Sequence, residues 1–463
     1  MTVADPAVLA ERLVEMVGHR AEAAVTVTHS RQGLTRFANS FIHQNVVDEH
    51  TEVNLQLSQD GRPASATTYR TDDEALASLV DRALSAAALR PVDPHWGGLA
   101  PPAGLAGPKD VHYDAATARV GPAERAEAVA AFVAAGGGLE AAGFCETSLS
   151  DRYFANSAGQ RVDSHDTSAA FDAIVRVPGS DGRPGSDGVA STYSSRFADL
   201  DGEALGRHAA GRARSGAGPV ELPAGRYEVV LEARCVAYLM DFFTFYGFNG
   251  RGVTEGRSFV AVGERQLDPV LSMSDDATDP RQLGPLFDAE GTPKSRLPLV
   301  AAGVVTGVTH DRRSAARAGG GTATTGHAVD GGEAFGAVAT ATLLEAAPGT
   351  GPTGGARPAA SLVPGVERGL LVSDFWYTRV LDPKTLVATG LTRNGVFLIE
   401  NGEVGRAVSN LRFTQSYVAA LAPGQVLGVG DDGRLAPGGL HISLHYAPSL
   451  HLAAWNFTGN ASA

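Results

Sequence analysis

Ser215-Gly216-Ala217-Gly218-Pro219 divides the sequence into two parts that read differently, and the fold class follows from that division. Small residues and a proline in a row favour neither helix nor strand, so the chain is expected to change domain here. Upstream, long amphipathic helices alternate with strands. Asp5 caps a first helix at Pro6, with Val8, Leu9, Leu13, Met16 and Val17 along one face. Strands are predicted over residues 24–30, 34–38 and 52–59, the last with Val53, Leu55 and Leu57 alternating with polar residues. Thr71-Asp72-Asp73-Glu74 reads as a capping box for a helix through Ala88. A second long helix is predicted over 122–135, stopped by Gly136-Gly137-Gly138. Further strands are predicted over 140–149, 151–156 and 168–177, with a helix near 199–213. Downstream, one helix over 234–246 is followed by short apolar runs at 297–308, 369–375, 396–399 and 439–446, separated by Gly, Pro, Asn and Asp. The pattern predicts an α+β chain: an N-terminal domain, 1–218, of antiparallel sheet and long helices, and a mostly-β C-terminal domain, 219–463, with one principal helix. Residues 348–358 (PGTGPTGGARP) read as an exposed, mobile loop.

Composition narrows the function classes. Lys and Arg number 38 against 51 Asp and Glu, a net charge of −13 over 463 residues. That balance excludes a broad basic footprint for nucleic acid and speaks against an anionic membrane surface. Hydrophobic residues at 43% are enough for a sizeable core. No apolar run reaches the length of a spanning helix, and the acidic, amphipathic N-terminus does not read as a signal peptide. Two cysteines, Cys145 and Cys235, exclude a disulfide scaffold or a Cys-rich zinc site and read as small buried hydrophobes in a reducing compartment. A soluble, cytoplasmic protein is expected.

Familiar catalytic signatures are missing. Gly319-Gly320-Gly321 lacks the lysine of a phosphate-binding loop, and there is no G-x-S-x-G, H-E-x-x-H or C-x-x-C. Three clusters remain. In Thr309-His310-Asp311-Arg312-Arg313, followed by His327, the carboxylate can orient an imidazole and the arginines can grip a substrate carboxylate. His441 and His445 on a strand would share a face but stand about 13 Å apart, too far for direct ligation by both; with His451 as a third ligand they form a candidate for a metal. Asn249-Gly250-Arg251-Gly252 is a tight polar turn after the main helix. That helix is strongly aromatic: Phe242 and Phe245 are expected in the core, with Tyr238 and Tyr246 available to a dimer or cavity face.

A set of sequence blocks resembles the TldD/PmbA family, also called modulators of DNA gyrase. The blocks are Leu34-Thr35-Arg36-Phe37-Ala38-Asn39-Ser40-Phe41, Gly247-Phe248-Asn249-Gly250, Glu255-Gly256-Arg257-Ser258-Phe259 and His310-Asp311-Arg312-Arg313 with Thr325-Gly326-His327. Phe375-Trp376-Tyr377-Thr378-Arg379, Thr389-Gly390-Leu391-Thr392-Arg393-Asn394-Gly395 and Asn410-Leu411-Arg412-Phe413 continue them in family order. The resemblance implies a metallopeptidase family in which TldD-type chains carry H-E-x-x-x-H and a later Cys for a catalytic zinc, while TldE/PmbA-type chains lack them. Here Met240 and Phe245 stand where the two His would, and Asp241 where the Glu would. The expectation is therefore a TldE/PmbA-type chain without zinc of its own, paired with a zinc-bearing TldD-type subunit around a chamber that receives peptides. The alternative is a stand-alone or homodimeric hydrolase of a dedicated peptide or small-molecule pathway, using His310, Arg312, Arg313 and His327.

Overall fold

The computed structural model describes residues 5–179, 185–349 and 359–461. Most of the loop expected at 348–358, from 350 onward, lies outside them. Helix α1 (Pro6–Val17) begins as its sequence requires, with the Asp5 side chain accepting the Ala7 N–H and Pro6 in the first turn. Strand β1 (Glu22–Ala38) is continuous where two strands were expected. Gly33 does not turn the chain because it is paired on both sides, with Val47 and with Thr147. There follow β2 (Phe41–Gln59), β3 (Arg62–Thr68), α2 (Asp73–Leu89), α3 (Pro122–Ala135), β4 (Glu140–Asn156), β5 (Arg161–Val177), β6 (Ser186–Ser194) and α4 (Gly202–Ser215). The cap of α2 is Asp72, accepting the Ala75 N–H, rather than Thr71. These strands form a wholly antiparallel sheet in the order β3-β2-β1-β4-β5-β6.

Two helix pairs cover that sheet. Leu9 and Leu13 of α1 and Leu76 and Leu79 of α2 pack on Val25, Val53 and Leu55, while Phe132 of α3 and Ala209 and Ala213 of α4 pack on Phe37 and Phe171. Each large apolar side chain so buried contributes about 1.5–3 kcal/mol.

The C-terminal half comprises β7 (Gly225–Leu231), α5 (Ala233–Phe242), α6 (Gly250–Thr254), β8 (Leu271–Asp275), β9 (Leu297–Ala301), β10 (Val304–Val305), α7 (Arg312–Ala318), β11 (Thr342–Ala346), β12 (Arg368–Asp382), β13 (Val387–Glu400), β14 (Glu403–Ala407), β15 (Leu411–Ser416), α8 (Tyr417–Ala420), β16 (Val426–Val429), β17 (Arg434–Pro437), β18 (Leu444–Ala447) and β19 (Leu450–Asn460). One sheet runs β10-β9-β8-β11-β18-β17. In the other, β12-β7-β19-β15-β13 closes on itself because β12 also pairs with β13. Phe375, Phe413, Tyr417 and the fully buried Trp455 fill that ring, with Phe375 stacked on Trp455 at 5.2 Å. The chain is thus α+β, mostly β after residue 219.

Helix α5 lies between the two C-terminal sheets, against β12 on one side and β17 and β18 on the other. Its start is tied to the N-terminal sheet through Arg234, whose guanidinium lies 2.9 Å from Asp172 of β5 and 3.2 Å from Asp374 of β12. The ring contact between Phe154 and Phe287, and His112 Nε2 at 2.7 Å from the Ala277 carbonyl, join the halves elsewhere. Among the described residues no helix is long and apolar enough to cross a membrane.

Candidate functional site

The predicted 234–246 helix is two structures: α5 ends at Phe242 and a π turn, Phe243–Gly247, carries the chain on. Such wide turns re-aim the side chains that follow them and recur at functional sites. Before the turn, Met240 is buried in the core with Phe242. Tyr238, read as available to a dimer or cavity face, is also core, its hydroxyl 3.4 Å from the Thr378 N–H. Within the turn, Phe245, expected in the core, is only half-buried. Its ring meets Tyr246 at 5.1 Å and Phe335 at 5.6 Å, on the wall of a cleft of about 330 Å³ that Arg257 and Lys384 also line.

Asp241 is fully buried between α5 and the segment leading into β18. Its Oδ2 accepts the Leu440 N–H at 2.7 Å, and its Oδ1 lies 3.2 Å from His445 Nε2. The other imidazole nitrogen faces the Thr342 hydroxyl, and Ser443 Oγ stands 3.3 Å from Nε2. The packing needs a glycine at 438, where a Cβ would fall 2.2 Å from Asp241 Oδ2. One carboxyl and one imidazole spent on each other, flanked by a thioether and a phenyl ring, do not fit the zinc that the helix position implies for the family.

The three C-terminal histidines go to different places. His441 is exposed in a turn at φ +57°, because only Leu444–Ala447 of the predicted 439–446 run is strand. His445 serves Asp241, and His451 on β19 places Nε2 2.6 Å from Glu228. Among the described residues no group of three His, Cys, Asp or Glu is placed to hold a metal.

The His310–Arg313 cluster falls beside a cleft of about 490 Å³ between residues 90–97 of the N-terminal half and segments 289–290, 311–313 and 328–333. Asp311 caps α7, accepting the Ser314 N–H, and so sets Arg312 and Arg313 on the cleft wall. Arg312 donates from Nε to the Gly98 carbonyl at 3.0 Å, while Arg313 is paired with Asp93 at 2.7 Å. His310 and His327 lie behind that wall. His310 is bonded to Ser314 at 3.1 Å, and the fully buried His327 stands 3.0 Å from Asp275.

Glu290 on the cleft wall escaped the sequence reading. Its Oε2 accepts the Arg312 N–H at 2.9 Å, and burial, reinforced by neighbouring Asp288, pushes its carboxyl up to about 8. It therefore offers a proton-bearing acid near neutral pH, beside the guanidinium of Arg312. Asp288 shapes this turn by accepting the Glu290 and Thr292 N–H groups, so the one sequence signal was the turn pattern Asp288-Ala289-Glu290-Gly291. An acid that donates and a guanidinium that donates together suit a carboxylate or carbonyl oxygen of a polar, peptide-like ligand.

A helix-covered antiparallel sheet joined to a closed strand ring, with α5 held between two sheets, defines a two-part α+β protein. Residues 224–459 match the model of the PmbA/TldA metallopeptidase C-terminal domain, and residues 107–216 that of the central domain. The chain belongs to this family. Its fold is similar to that of TldE from Thermococcus kodakarensis, with a TM-score of 0.85 at 19% identity, covering 97% of this chain and 100% of that one. Two proteins described as candidate modulators of DNA gyrase are also similar. The one from Thermotoga maritima has a TM-score of 0.82 at 18% identity, over 98% of this chain and 100% of the other. The one from Bacteroides thetaiotaomicron has a TM-score of 0.83 at 20% identity, over 99% and 100%. A comparison with curated protein sequences finds no significant match.

Proposed function

We propose that this chain is the TldE/PmbA-type subunit of a cytoplasmic TldD/TldE-type metallopeptidase: it shapes a chamber for peptides, and a TldD-type partner carries the zinc and cuts. The observation that carries this reading is the fate of the motif positions on α5 and the π turn that continues it. Met240 is packed in the core, Phe245 is turned into an aromatic cleft, and Asp241 is buried, bonded to the Leu440 N–H and set against His445. The cleft with Glu290, Arg312 and Arg313 supplies a place where this subunit contacts substrate. Cys145 and Cys235 are free, buried thiols, which suits a reducing compartment.

The test is reconstitution. The chain and a TldD-type partner are purified separately and together, and zinc is measured in each along with peptidase turnover. Zinc is expected in the partner alone, with turnover greatest for the complex. About one zinc per chain in this subunit alone, retained through mild chelation, would overturn the reading.

A further inference from the structure

Arg125 of α3 is 1% exposed. Its three hydrogen bonds all go to neutral oxygens: Nε to Thr35 Oγ1 and Nη1 to Thr147 Oγ1, each at 3.1 Å, and Nη2 to Asn45 Oδ1 at 3.4 Å. Arg234, the partly buried arginine at the start of α5, has two aspartates against it. A guanidinium moved out of water without a counter-charge costs several kcal/mol, and burial correspondingly pulls the Arg125 pKa down. The place is nevertheless built for it. Gly33 of β1 lies beneath the guanidinium, and a Cβ there would come within 2.3 Å of Nη1.

A narrow cleft opens onto Arg125. Arg31, Thr117, Thr147 and Ser148 line it, together with small or apolar residues, and no acidic side chain does. Arg31 is anchored at the rim by the Ala118 carbonyl at 3.3 Å, and its nearest carboxylate, Glu49, stands 3.9 Å from Nε. The open space is small, about 10 Å³, close to what one water needs, so a halide, somewhat larger than water, seats there by a small shift of the half-exposed Arg31 side chain at the rim. We propose that this cleft is a binding site for a single small monovalent anion of halide size, held between Arg125 and Arg31. A water molecule would fill the space and leave the charge uncompensated. A sulfate or phosphate, with four oxygens to place, needs several times that space. Guanidinium groups in general keep their charge across the physiological range, so a site built from two of them prefers an anion throughout it.

The test uses the full chain. Melting is followed in sodium chloride, bromide or gluconate at fixed ionic strength, for the wild type, Arg125→Met and Arg31→Ala. General salt effects are shared by all three proteins and cancel in the comparison. A halide at ten times its Kd favours the native state roughly tenfold, which corresponds to about 2 °C in Tm. That halide-over-gluconate gain is expected in the wild type, reduced in Arg31→Ala and lost in Arg125→Met. Should Arg125→Met fail to fold, chloride NMR line widths decide. Wild-type protein should broaden the line saturably, bromide should reverse the effect, and Arg31→Ala should weaken it. An equal halide gain in all three proteins, or no saturable broadening by the wild type, overturns the proposal.

Discussion

Asp241 separates a catalytic remnant from a structural pin, and the structure sets the size of the effect. Asp241→Ala removes the acceptor of the Leu440 N–H and leaves the His445 imidazole facing a void. The lost bond to an acidic group contributes about 1.5–3 kcal/mol, and stranding buried polar partners adds about 1–3 kcal/mol. A total near 3–5 kcal/mol corresponds to about 6–12 °C in Tm if the C-terminal half melts as one unit. Asp241→Asn keeps the volume, an oxygen for Leu440 and a polar group for His445, so a loss of about 1–2 kcal/mol is expected. Differential scanning calorimetry of the two variants, alongside turnover by the reconstituted complex well below either melting point, makes the comparison. The expected outcome is a large stability loss for Ala, a small one for Asn, and near-normal turnover for both. An Ala variant within about 1 °C of wild type would show that Asp241 holds nothing. An Asn variant of normal stability that abolishes turnover would make this subunit catalytic.

Other perturbations follow from the same contacts. Arg234→Ala strips the positive partner from Asp172 and Asp374, and a loss of about 3–5 kcal/mol is expected in chemical denaturation; an unchanged midpoint would deny the bridge. Glu290, whose folded pKa of about 8 lies above its ordinary value, favours the native state while protonated. Wild-type stability should therefore fall as pH rises from about 5 to about 8, and Glu290→Gln, a permanent mimic of the acid, should match wild type near pH 5 and exceed it near pH 9. Equal differences at both pH values would reject the shift. Arg312→Ala in the complex should raise KM roughly ten- to hundred-fold with kcat little changed, whereas Arg313→Ala, already paired with Asp93, should do less. A fall in kcat alone would place Arg312 outside substrate capture.

Local chemistry was legible in the sequence: the Asp5 cap with Pro6, the α3 helix starting at Pro122, and the alternation of Val53, Leu55 and Leu57 each depend on neighbours a few residues away. The same holds for the absence of imidazoles at 240 and 245, and for Arg312 and Arg313 as a pair, since residue identity alone states them. Tertiary structure decided what depends on distant partners. Gly33 continues a strand only because Val47 and Thr147 flank it, and Phe245 leaves the core only because a π turn intervenes. Asp241 and Leu440 meet across 199 positions, as do Glu290 and Arg312 across 22. No periodicity records such a meeting. A hydrogen bond between remote segments is fixed by how sheets and helices stack, and stacking is a property of the whole chain.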